Sequence, residues 1–179
     1  MRRLLCAGAL ITVSALLVLA SAASAGSPWT LVTDPLGAGT PNGPVIRPAG
    51  HNCSFNLLIS VVANHEQQRQ ITLGPPAPAG TVETDLRGEL ILSFTNQSTG
   101  AAVTRDVSGP NNTVAYPDGS GVITGAGNNW WTFGPVSRGN TGEPGAFTST
   151  GPFVLDFSGN FVTSFKAKHV TDLCALLGA

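Results

Sequence analysis

The 179-residue sequence predicts an all-β fold, an antiparallel β-barrel that is closed or nearly closed. It would hold about eight or nine short strands and a short C-terminal helix. Three observations carry this expectation. Apolar and polar residues alternate in short segments bounded by Gly, Pro, Asn, Asp or Ser, the pattern of half-buried strands joined by turns. Helical spacing occurs in only one stretch past the N-terminal run, residues 169–178. Finally, Cys53 begins the first firm strand and Cys174 follows the last, so a bridge between them would bring the ends of the sheet together. A β-sandwich is the alternative, because short antiparallel strands with frequent turns serve both architectures.

The elements follow in chain order. Arg2 and Arg3 lead into an apolar run from Leu4 to Ala20 and a small-x-small end, Ala23-Ser24-Ala25. These are the three parts of a secretory signal peptide. Residues 1–25 are therefore expected to be cleaved near Ala25-Gly26, leaving 154 residues, one domain of ordinary size. Residues 26–50 carry Pro28, Pro35, Pro41, Pro44 and Pro48 and read as an irregular Pro/Gly-rich N-terminal arm without a strand. Residues 51–179 then form the single β domain.

Within that domain, Phe55, Leu57, Ile59 and Val61 alternate with Ser54, Asn56 and Ser60. Residues 67–73 form a weaker strand, ended by Gly74-Pro75-Pro76-Ala77-Pro78. Leu90, Leu92 and Phe94 alternate with Glu89, Ser93 and Thr95, and residues 96–100 turn the chain into 101–107 as the first clear hairpin. Extended pieces follow at 113–116, 122–124 and 129–133, then a loop over 134–152. In the last hairpin, a three-residue loop at Ser158-Gly159-Asn160 would pair Phe157 with Phe161 and Phe153 with Phe165. Burial favours that register, since a one-residue slip sends a whole face to solvent, and Asn160 tolerates the left-handed conformation required. Thr171 or Asp172 would cap the final helix, which is too short to be stable unanchored.

Charge and cysteines bound the function. Past residue 25, seven Lys/Arg stand against ten Asp/Glu, a formal charge of −3. Such a weakly acidic domain has no electrostatic footprint for nucleic acid or anionic lipid. No second apolar run reaches roughly 18 residues, so no membrane span is expected after cleavage. Cys6 would leave with the signal; Cys53 and Cys174 remain. An isolated pair in an oxidising compartment predicts a disulfide. Closing the 120 intervening residues would constrain the unfolded chain by about 4–5 kcal/mol in the entropic account.

No constellation announces chemistry. His51, His65 and His169 lack ligand spacing, so no metal site or cofactor is assigned. There is no Gly-x-Ser-x-Gly elbow, and Gly119-x-Gly121 and Gly125-x-Gly127 precede no helix, leaving no catalytic residue identified. Asn128-Asn129-Trp130-Trp131 is the most suggestive string. Exposed aromatics beside asparagines suit a ligand surface, but successive strand residues point to opposite faces. Trp130 and Trp131 are thus candidate ligand-facing residues of which one joins a given face and the other packs.

Several strings carry a family resemblance: Gly88-Glu-Leu-Ile-Leu-Ser-Phe-Thr-Asn96, Val107-Ser-Gly-Pro110, Pro117-Asp-Gly-Ser120, Gly159-Asn-Phe-Val162 and Val170-Thr-Asp-Leu-Cys174. From about Cys53 onward the chain resembles an uncharacterised group of small secreted actinobacterial proteins. The resemblance implies secretion and brings no activity or site residue with it. The expectation is a secreted, non-enzymatic module that binds a small apolar molecule or a cell-surface component. A cell-surface interaction protein, using the arm as a tether, and an isomerase, cyclase or glycan hydrolase in the barrel lumen are the alternatives.

Overall fold

The alternations become burial. In β6 (Leu90–Asn96) every second residue is buried, and Leu92 and Phe94 are fully so. β3 (Leu57–Asn64) buries Leu57 and Ile59 in the same way. The computed structural model describes residues 26–134 and 145–178; the expected signal lies outside the described residues. The other strands are β1 (Thr30–Leu31), β2 (Val45–Arg47), β4 (Gln67–Thr72), β5 (Val82–Arg87), β7 (Ala102–Asp106) and β8 (Asn111–Ala115). They are followed by β9 (Ser120–Gly125), β10 (Asn128–Phe133), β11 (Gly145–Ser158) and β12 (Phe161–Asp172), then helix α1 (Leu173–Gly178).

Among the described residues two antiparallel sheets are formed, and neither closes into a barrel. The small sheet runs β2-β3-β6-β7; the large one runs β1-β4-β5-β8-β9-β11, with β12 on the far edge of β11. A sandwich-like arrangement fits this better than the expected closed barrel. The reason lies in the disulfide. Cys53 and Cys174 are bonded, with Cα atoms 5.3 Å apart. Cys53 precedes β3 of the small sheet, however, whereas Cys174 sits in α1 after β12 of the large one. The bridge therefore staples one layer to the other and does not make the end strands neighbours.

β11 organises the large sheet. Its second half pairs with β9, from Phe153↔Gly125 to Ser158↔Ser120, and its first half pairs with β10, from Gly145↔Phe133 to Thr150↔Asn128. β9 and β10 thus form one interrupted strand along the same edge. Gly127 and Gly151, at φ +83° and +92°, meet at the interruption, where Gly151 N donates to Gly127 O at 2.9 Å. Left-handed backbone at both glycines lets the long pair change direction, and Pro152 fits a ladder because it stands at this register shift.

Two apolar cores result. The larger joins the small sheet's Leu57, Ile59, Leu92 and Phe94 to Ala146, Leu173 and Leu177, with Trp130 packed against them. The smaller lies on the large sheet alone and joins Phe133, Leu155 and Val162 to Trp131, Phe147 and Phe165. α1 is held at both ends. Asp172 Oδ1 accepts from the N–H groups of Cys174 and Ala175, so Asp172 is the cap. At the other end Asn96, buried in β6, donates its Nδ2 to the Leu177 carbonyl at 3.1 Å.

Several expectations are corrected. The 26–50 segment is not strandless: β1 adds to β4 and β2 adds to β3, one edge strand for each sheet, and Leu36 is buried in the core. β5 was hidden by its charges, since Glu83, Asp85 and Arg87 alternate with Val82, Thr84 and Leu86. Residues 145–152 of the expected loop belong to β11; 135–144 lie outside the described residues. Residues 169–172 are strand, and helix begins only at Leu173. The final hairpin pairs Ser158 with Phe161 across a two-residue turn, with Gly159 at φ +57° taking the left-handed position. A register shift after Asp156 then sets Phe157 against Val162, while Leu155 meets Phe165. The aromatic face is thereby kept inward by a bulge and not by loop length, leaving Phe161 exposed.

Candidate functional site: a cleft between the sheets

The aromatic face of the large sheet is built by a repeated local device. Gly121 and Gly125 of β9 have no side chain, and the rings of Phe157 and Phe153 on β11 lie over them. A Cβ on Gly125 would stand 2.7 Å from Phe153 Cε1, and one on Gly121 would collide with Phe157. Aromatic rings laid over cross-strand glycines press close to the sheet and leave room above it.

Trp131 stands in that space. Its ring meets Phe153 edge-on at 4.8 Å and Phe165 at 5.4 Å, and its Nε1 donates to Ser149 Oγ at 2.9 Å. Such pairs contribute about 0.5–1.5 kcal/mol beyond burial, and the hydrogen bond fixes the ring. Trp130, one residue earlier, points to the other face and packs toward Phe94 with centroids 6.3 Å apart. The alternation of strand side chains places these two candidates on opposite sides of β10.

Two spaces adjoin Trp131. The outer one is an apolar groove of about 350 Å³. Ile123, Trp131, Phe133, Leu155, Phe157 and Phe161 line it, and Phe161 is 55 % exposed at its mouth. The inner one, about 170 Å³, lies where the two sheets meet. Leu90 and Val107 of the small sheet's core border it on one side, and Thr113, Ile123 and Trp131 on the other. Thr113, Ile123 and Trp131 border both spaces, so the aromatic groove and the intersheet space lie against the same three side chains.

The inner end is polar. Asn129 of β10 is 5 % exposed, and its Nδ2 has no hydrogen-bond partner; Oδ1 of Asn111 on β8 is likewise buried and unpartnered. The two amides touch only through Asn111 Nδ2 donating to Asn129 Oδ1 at 3.5 Å. Glu66, in the β3–β4 connection, completes this end. Burial pushes its carboxyl above the ordinary glutamate value, and no hydrogen bond or ion pair reaches that carboxyl among the described residues. Among the described residues no Lys, Arg or His borders the inner space.

The histidines lie elsewhere. His65 Nδ1 meets Glu89 Oε2 at 2.8 Å on the surface, and His51 Nδ1 meets Asn52 Oδ1 at 3.1 Å. Among the described residues no three of His, Cys, Asp or Glu are grouped to hold a metal ion.

The sequence singled out neither Glu66 nor Asn111, and it named Asn129 only as a neighbour of the tryptophans. Nothing in their spacing links them, because they lie on three separated segments. Trp29 was also missed. It stacks with the Arg87 guanidinium 3.8 Å and that of Arg69 4.9 Å from its ring centroid, which fastens β1 to β4 and β5. Arg69 in turn donates to Asp85 at 2.7 Å. No family model, curated protein or solved structure matches the chain.

Proposed function

We propose that this chain is a secreted, non-enzymatic binding module that takes a small, largely apolar molecule into the cleft between its sheets. One observation carries the reading: an aromatic groove with an exposed Phe161 at its mouth shares Thr113, Ile123 and Trp131 with a space where the two layers meet. Concave, mostly apolar spaces with a few convergent polar groups are where proteins hold small ligands. The volume of the groove, about 350 Å³, suits a molecule of modest size. Secretion is supported by the Cys53–Cys174 disulfide, which persists in an oxidising compartment, and by the N-terminal sequence.

The test is exposure of the purified protein to a mixed lipid and metabolite extract, followed by native mass spectrometry and thermal unfolding. A retained small molecule should raise the melting temperature and quench Trp131 fluorescence. Trp131→Phe, which keeps the packing volume approximately, should keep the retained mass and lose most of the quenching. A protein that retains nothing from any extract and never shifts in melting temperature overturns the proposal.

A further inference from the structure

The inner end of the cleft holds an imbalance that the fold itself does not resolve. Buried polar groups are nearly always hydrogen-bonded, and leaving one unmade costs about 1–3 kcal/mol. Here a donor on Asn129 and an acceptor on Asn111 are left open at the same cavity. Turning both amides by 180° would not remove the imbalance, since their mutual bond still uses one donor and one acceptor and leaves one of each. The Asn129 amide lies directly on Gly109, where a Cβ would collide with Nδ2, so the side chain rests on backbone.

We infer that this inner end receives the head of the ligand, and that the head is an uncharged group that both donates and accepts a hydrogen bond, as an alcohol hydroxyl does. The inference rests on the reading of the cleft as a binding site. Charge selects against the alternatives. Among the described residues a carboxylate head would find no Lys, Arg or His at the inner space, and it would face Glu66. An alkylammonium head could donate to Asn111 and Glu66, but it accepts nothing and leaves the Asn129 donor unpaired. A hydroxyl meets both amides at once, with the apolar tail lying along Ile123, Trp131 and Leu155.

The experiment is a nuclear magnetic resonance titration of the disulfide-intact protein near pH 7 with three probes of equal tail length, 1-octanol, octanoate and octylamine. Octanol should bind about tenfold more tightly than either charged probe, as expected for one or two satisfied hydrogen bonds, and should move the side-chain amide signals of Asn111 and Asn129. Asn129→Ala should erase that preference while the Trp131 indole signal still responds. Asn111→Ala should do the same and serves if the Asn129 variant unfolds. Equal binding of all three probes, or tighter octanoate binding, with both amide signals unmoved overturns the head-group assignment and leaves the groove standing. Failure of all three to move the Trp131 signal overturns the groove reading as well.

Discussion

Removal of the Cys53–Cys174 bridge tests the interlayer staple most directly. The cysteines are 121 residues apart in sequence, and their bridge joins the segment just before β3 of the small sheet to the helix that follows the large sheet. In the chain-entropy account, releasing a loop of that length restores freedom to the unfolded state equivalent to about 5 kcal/mol. Each kcal/mol shifts the melting temperature of a domain this size by roughly 2–4 °C, so the midpoint should fall by about 10–20 °C. The double variant Cys53→Ala/Cys174→Ala removes the bond without leaving a reactive thiol. Guanidinium unfolding should be followed by the fluorescence of Trp130 and Trp131 and separately by far-ultraviolet circular dichroism. Both probes should report the same loss, because the constraint acts on the whole unfolded chain. The denaturant slope should also rise, since an uncrosslinked chain exposes more surface. A midpoint unchanged within error by the tryptophan probe, with only the helix lost, would show that the bridge secures α1 locally, and the two-layer argument would be refuted.

Three further outcomes follow from single contacts. Asn96→Ala should cost about 1–3 kcal/mol, because it strands the Leu177 carbonyl that Asn96 Nδ2 now caps; chemical denaturation measures it, and a neutral result would mean that the helix end is not held there. Gly125→Ala should cost about 1–3 kcal/mol by pushing its Cβ into the Phe153 ring 2.7 Å away, which thermal unfolding would show. Glu66 and Asp85 should bend the pH dependence of stability in opposite senses. The Glu66 carboxyl is raised by burial, so its folded form keeps a proton that the unfolded chain has lost. Its stabilisation is complete below the ordinary glutamate value and is lost as pH rises through the raised one. Asp85 is lowered chiefly by the Asn112 side chain, and also by Arg69, so its contribution is present above the ordinary aspartate value and disappears as pH falls through the lowered one. Glu66→Gln should flatten the decline that begins above the ordinary glutamate value, and Asp85→Asn the loss below the ordinary aspartate value, in denaturation midpoints collected from pH 3 to 8.

The alternations in β3 and β6, the turn at 96–100, a helix cap at Thr171 or Asp172 and the pairing of the two remaining cysteines were legible in the sequence. Each is a local matter: strand periodicity, turn chemistry and a single possible thiol partner decide it within a few residues or by count. β5 was missed for a local reason too, since its charged residues occupy the outward face and hide the alternation, and the register of the last hairpin turned on one bulge. Whether the sheets close was not a local matter. It depends on which strands lie beside β11, and β11 bends at Gly151-Pro152 to accept both β9 and β10 on one edge. The inner end of the cleft is of the same kind. Glu66, Asn111 and Asn129 are ordinary polar residues at unremarkable spacing, and only the meeting of two layers buries them together without partners for their open groups. Sequence thus determined the most regularly alternating strands, the crosslink and a cap at Thr171 or Asp172, because those are set by neighbours along the chain. The tertiary structure alone decided the architecture and the site, because desolvation and unmet hydrogen bonds exist only once distant segments have come together.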